Sequence, residues 1–194
     1  DAYLQQAIKA EASDRNIGAV GRFMEVAALT DGEIVNYSNI ASDCGVKSNT
    51  IKEYFSILED TLVGYMVPAY NKSLKRKEVQ APKFYYFDVG IANYLLHRKD
   101  LQRGTPEYGH AFEHFVIQEI IAYLGYKNSD EKLSYWHTYT GNEVDAIIGN
   151  RVAIEIKSAD MVQPKHLKGL RAFAEEYPNF DRMIVSWDPI NRKT

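Results

Sequence analysis

Across 194 residues the chain carries a single cysteine, Cys44. That excludes a disulfide framework and a thiolate metal site, fits a reducing compartment, and leaves Cys44, set in an apolar helical pattern, as a buried structural thiol. Long hydrophobic runs are also missing. No stretch approaches the roughly 20 apolar residues of a membrane span, and the opening DAYLQQAIKAEASDRN lacks the layout of a signal peptide. The expected location is cytoplasmic, with no membrane partner. Excess charge is equally scarce: the net charge is −3, with 12 Lys/Arg against 13 Asp/Glu in residues 1–100 and 11 against 13 in residues 101–194. A strong, indiscriminate nucleic-acid binder would be basic overall, so any DNA contact falls to local patches. There is no GxxxxGK[ST] phosphate loop, no dinucleotide fingerprint, no HExxH and no GxSxG. Nucleotide hydrolysis by this chain itself, zinc hydrolase chemistry and serine hydrolase chemistry therefore have no support.

What is present centres on EVDAIIGNRVAIEIKS, residues 143–158. Val144, Ala146, Ile148, Val152, Ile154 and Ile156 occupy even positions, while Glu143, Asp145, Glu155 and Lys157 are odd. Period-two alternation predicts a hairpin with one buried face and one ionisable face. If Gly149, Asn150 and Arg151 form a three-residue loop, Asp145 and Glu155 lie directly opposite each other; a two-residue loop would put them on opposite faces. Two facing carboxylates beside the Lys157 ammonium suit a hard divalent cation such as Mg²⁺ (or Mn²⁺), with the lysine placed to orient or deprotonate a water. The Ile156 carbonyl is a further candidate ligand. The competing reading is a structural ion-pair network on a sheet face.

Upstream, Tyr3–Ala12 and Ile17–Leu29 read as helices, the second closed by Asp31-Gly32. NYSNIASDCG offers a short helix with Ile40, Ala41 and Cys44 inward and Gly45 as terminator. A longer helix follows, with Ser48 as N-cap and Ile51, Tyr54, Phe55, Leu58 and Leu62 as its stripe. Two helices joined by a tight glycine turn read as a helix-turn-helix. VGYMVPAY and APKFYYFDV, joined by the basic NKSLKRK, add two strands and complete a winged helix at residues 1–98. Its nucleic-acid candidates are Lys47, Ser48, Asn49, Thr50 and Lys52 at the recognition-helix start, and Lys72, Lys75, Arg76 and Lys77 in the loop. Glu53, Glu59 and Asp60 offset that charge, and many winged helices dock proteins instead.

KDLQRGTPEYG is the expected boundary, near residues 99–109. HAFEHFVIQEIIAYLGY reads as a helix burying Phe112, Phe115, Val116, Ile120, Tyr123 and Leu124 and ended by Gly125. LSYWHTYT is a first strand and the hairpin supplies the second and third. QPKHLKGLRAFAEEY is a helix packing Leu167, Leu170, Phe173 and Ala174 inward, and MIVSW a fourth strand. Gln163, Lys165 and His166 are candidate phosphate contacts, though surface residues at a helix start are the simpler assignment.

The pattern Asp-x9-Glu-x-Lys at Asp145, Glu155 and Lys157, together with the order αβββαβ over residues 105–194, resembles the PD-(D/E)XK nuclease superfamily. The resemblance implies an α/β (α+β) fold, Mg²⁺-assisted DNA cleavage, and Glu113 on the preceding helix as a further acidic member of the site. More extended stretches, YLQQAIKAE, NYSNIASDCGV, TIKEYFSILEDTLVGY, KFYYFDVGIANYL, FEHFVIQEI, GNEVDAII and AIEIKS, resemble the C-terminal portion of a large group of prokaryotic AAA-type ATPase-related proteins. That implies an ATPase module preceding this region, so that ATP enters only through a part absent here and the chain is expected to be a fragment. Members of that group often carry an arginine in the strand before GxEVD, where this chain has His137. Three functions are thus in play: a metal-dependent DNA hydrolase, a non-catalytic DNA- or protein-binding regulatory module using the winged helix, and a purely structural carboxylate–lysine network.

Overall fold

A computed structural model describes residues 17–71 and 81–190 of a mixed α/β chain with two sheets. It divides into two compact units, residues 1–66 with 81–99, and residues 67–80 with 100–194. The expected helix Tyr3–Ala12 and the basic Lys72, Lys75, Arg76 and Lys77 lie outside the described residues.

The first unit contains α1 (Ile17–Leu29), α2 (Tyr37–Cys44), α3 (Ser48–Asp60), a two-stranded sheet of β1 (Gly64–Val67) and β2 (Lys83–Tyr86), and α4 (Val89–Leu95); β1 ends on the boundary with the second unit. After α1 the chain turns at Gly32, φ 77°, whose N–H donates to the Phe84 carbonyl. Ile34 then bridges Lys83 antiparallel, so a short extended segment between α1 and α2 joins β2. Asn36 caps α2 by accepting the Asn39 N–H, and Gly45 ends it at φ 68°, a left-handed position that suits a residue without Cβ. Ser48 is the first residue of α3 rather than its cap, because the backbone is still extended at Lys47, which makes no side-chain cap bond. Leu62 also departs from expectation. The helix stops at Asp60, and Leu62 follows with φ 58° and 70% exposure. Phe23, Phe55, Phe84 and Tyr86 fill the core in edge-on and tilted ring contacts, and the buried Tyr86 hydroxyl donates to the Met24 carbonyl.

The second unit runs α5 (Pro106–Tyr126), β3 (Leu133–His137), β4 (Glu143–Ile148), β5 (Val152–Lys157), a 3₁₀ turn Pro164–Leu167, α6 (Lys168–Glu176) and β6 (Asp181–Ser186). Its sheet has the order β3-β4-β5-β6, antiparallel except for the β5–β6 pair, whose parallel connection is supplied by α6. Thr105 caps α5 by accepting the Tyr108 N–H, with Pro106 in the first turn. Two expectations for α5 fail. It buries Phe112, His114 and Ile117 while Phe115 and Tyr123 are 49% and 59% exposed, because this sequence is apolar all round and gives its stripe no direction. It also continues past Gly125, and the left-handed reversal falls on Asn128 at φ 47°.

Residues 68–70 belong to this unit rather than to the β1–β2 pair. The Tyr135 N–H donates to the Pro68 carbonyl and the Tyr70 N–H to the Tyr135 carbonyl, a parallel bridge on the outer edge of β3. The Tyr70 ring then packs against Phe173, Tyr177 and Phe180, and its hydroxyl hydrogen-bonds Asn150 at 2.8 Å.

Candidate functional site

The β4–β5 hairpin pairs Ile148 with Val152, Ile147 with Ala153 and Ala146 with Ile154 around Gly149-Asn150-Arg151, the three-residue loop that the spacing requires. Gly149 takes φ 54°, and the Arg151 N–H closes the loop on the Ile148 carbonyl. One step further in the same register sets Asp145 opposite Glu155. There the backbone ladder is replaced by a side chain: Asp145 Oδ2 accepts the Ile156 N–H at 2.6 Å.

The ionisable face is not open to water, which corrects the simple alternation. Asp145 is 4% exposed and Glu155 6%, and Ile147 and Ala153, also at odd positions, pack with Leu167, Leu170 and Phe173 under α6. Gly169 lets that helix approach. A methyl group there would run into the Glu143 carbonyl and stand 3.1 Å from Glu155 Oε2.

Lys157 completes the cluster. Its Nζ lies 2.7 Å from Glu155 Oε1, 3.0 Å from the Ile156 carbonyl oxygen and 3.4 Å from Asp145 Oδ2, with the side chain 36% exposed. Burial, then the charges of Glu113 and Glu155, push the Asp145 carboxyl up to about 7, against the pull of Lys157 and the Ile156 N–H. Burial raises Glu155 too, with Lys157 opposing. For Lys157 burial acts downward, and the carboxylates of Asp145 and Glu155 outweigh it and hold the ammonium above its usual value. Glu113, half-buried on α5, acts electrostatically on all three groups.

The donors suit a hard divalent cation: two carboxylates and one carbonyl, with waters to complete the shell. Among the described residues, the buried Glu155 Oε2 has no hydrogen-bond partner, while Oε1 of the same carboxylate takes Lys157. Among the described residues, no three His, Cys, Asp or Glu side chains form a metal-holding group, so the carbonyl and water are integral to the fit.

Of the nucleic-acid candidates, Lys47, Asn49 and Lys52 are exposed at the start of α3, Thr50 is half-buried, and Lys52 Nζ sits 5.5 Å from the Tyr37 ring centre. Glu53, Glu59 and Asp60 are exposed further along the same helix. His166 is occupied structurally, its Nδ1 accepting the Gln163 N–H at 3.2 Å, while burial and then Lys165 and Lys157 lower its pKa. Sequence reasoning missed Gly169 and Tyr70. The signal for the first is a glycine inside the helical pattern LKGLR, which marks close packing; the second has none.

Residues 1–102 match the family described as domain of unknown function DUF8612, and the chain belongs to that family. Residues 108–188 match a second, domain of unknown function DUF4143. Two mycobacterial relatives, "Uncharacterized protein Mb2031c" of Mycobacterium bovis and "Uncharacterized protein Rv2008c" of Mycobacterium tuberculosis, are each 27% identical over 132 residues, covering 65% of this chain and 29% of their own length. The chain thus aligns with under a third of these longer proteins. No solved structure matches. No helix among the described residues is long and apolar enough to cross a membrane.

Proposed function

We propose that the second unit is a PD-(D/E)XK-type, metal-dependent phosphodiester hydrolase acting on DNA, and that the first is a winged helix serving it as a nucleic-acid contact. One observation carries this reading: Asp145 Oδ2, Glu155 Oε1 and the Ile156 carbonyl converge on a single cation, the Lys157 ammonium. The element order αβββαβ and the parallel last strand support it, as does the helix–bridge–helix–helix–strand–strand order of the first unit.

When bound, Mg²⁺ or Mn²⁺ would supply Lewis acidity and offset charge on the scissile phosphate. Asp145 and Glu155 would hold it, with the Ile156 carbonyl as third ligand and Glu113 assisting directly or through water. The Ile156 N–H fixes the Asp145 carboxylate in that direction. Lys157, on the stem next to these ligands, holds and orients the attacking water. Lys47, Asn49, Thr50 and Lys52 present donors to a DNA groove or backbone, and the basic Lys72, Lys75, Arg76 and Lys77 add phosphate contacts. ATP would enter through an AAA-type ATPase module and not through this chain's own residues.

A structural ion-pair network is favoured by Lys157 satisfying Glu155 Oε1 and Asp145 Oδ2. Against it stands Glu155 Oε2, buried without a donor. The test is cleavage of supercoiled, linear and branched DNA in Mg²⁺ or Mn²⁺ by wild type, Asp145→Ala and Lys157→Ala. Cleavage by wild type alone is expected. DNA binding that survives Asp145→Ala, weakens with Lys75 to Lys77 neutralised and is accompanied by no metal-dependent cleavage would replace hydrolysis with a binding or protein-docking module.

A further inference from the structure

The Lys157 ammonium has three N–H donors, and it meets three oxygens: Glu155 Oε1, the Ile156 carbonyl and Asp145 Oδ2. These are the same three groups that would ligate a divalent ion. Resting on the reading of the site as a divalent-cation centre, we infer that Lys157 is a displaceable internal counter-ion, whose ammonium sits among the oxygens that would ligate the ion and must leave before metal can enter. One seat cannot hold both charges, since an ammonium within contact distance of a divalent ion in a poorly hydrated site is strongly repelled.

The mobility needed is distributed unevenly around the cluster. Asp145 and Glu155 are almost fully buried on a paired hairpin, and Asp145 is tied to the Ile156 N–H. Lys157 is the last residue of β5, on a four-carbon stem, with its side chain 36% exposed. The carboxylates stay and the lysine moves. The seat also fits the ammonium incompletely, for Glu155 Oε2 is buried without a hydrogen-bond partner among the described residues. A divalent ion, which accepts more than three oxygens, would be held by that oxygen as well, directly or through a water. Metal entry and release of the lysine therefore form one exchange, in which the amine that waits in the seat becomes the amine that faces the water.

The test is calorimetric titration of Mn²⁺ into the full chain, comparing wild type with Lys157→Met, Lys157→Arg and Asp145→Asn. Lys157→Met, which keeps the stem and removes the charge, should bind Mn²⁺ tighter by about tenfold or more, the scale set by removing one competing charge. Lys157→Arg should gain nothing, and Asp145→Asn should lose binding. Equal or weaker binding by Lys157→Met, with wild type still binding, overturns the exchange and leaves the metal centre standing. Failure of both wild type and Lys157→Met to bind Mn²⁺ overturns the metal centre and the exchange with it. Amine acetylation of wild type, read by mass spectrometry at Lys157, needs no variant: labelling should rise when Mn²⁺ is added, and unchanged labelling at saturating Mn²⁺ contradicts the exchange.

Discussion

Lys157 Nζ stands 2.7 Å from Glu155 Oε1, the shortest ion pair described in the chain, and links a side chain 36% exposed to one only 8% exposed. Removing the ammonium leaves two buried carboxylates without their cation. Lys157→Ala should therefore lower stability by about 1–2 kcal/mol in chelator, a value discounted for the partial exposure of the lysine. Urea melts read the loss, and Mn²⁺ should restore more stability to this variant than it adds to wild type.

Asp145 gives stability a pH dependence of known sign. Its folded-state pKa is raised from 3.8 to about 7, so the folded chain prefers the neutral carboxyl. That contribution is complete below the unfolded value and is lost as pH climbs through about 7. Without metal, the melting temperature of Asp145→Asn relative to wild type should rise between pH 5 and pH 8, by an amount worth at most a few kcal/mol. A difference that stays flat across this window would show that Asp145 titrates normally.

Two glycines on the helices of the second unit should respond to alanine in opposite ways. At Gly169 the added methyl meets the Glu143 carbonyl beside the carboxylates, so α6 must lift; a loss of about 1–3 kcal/mol and weaker Mn²⁺ binding are expected. At Gly125 an added methyl meets no described atom within 4 Å beyond its own helix backbone and chain neighbours, and alanine should stabilise α5 by about 0.5–1 kcal/mol. Thermal melts of the two variants side by side decide it.

Tyr70→Ala should destabilise the second unit by about 2–4 kcal/mol, since it removes ring contacts with Phe173, Tyr177 and Phe180. Hydrogen exchange should show the Tyr135 amide, which donates to Pro68, losing protection, while Ile51 and Phe55 in the first unit keep theirs. Equal loss in both units would contradict the assignment of residues 68–70 to the second.

The hairpin was legible because a spacing fixes a register: nine residues between Asp145 and Glu155, with Gly149-Asn150-Arg151 between the strands, leave one loop length that sets the carboxylates face to face. The depth of the site was not legible. Asp145 and Glu155 look solvated in the alternation, and it is Gly169, on a helix that begins eleven residues after Lys157, that admits the cover. Tyr70 escaped for a different reason. Its N–H bonds the Tyr135 carbonyl, 65 residues away, and no local pattern announces a pairing of that range. On α5 the failure was one of direction, because apolar residues encircle the helix and only packing selects Phe112 and Ile117 over Phe115 and Tyr123.

The most direct measurement is an anomalous difference map from crystals of the chain soaked in Mn²⁺. A metal centre at the end of β5 predicts one peak within coordinating distance of Asp145, Glu155 and the Ile156 carbonyl, with Lys157 Nζ moved out of the position it holds between them. Saturating Mn²⁺ with no peak there, and Lys157 still paired to both carboxylates, would contradict it.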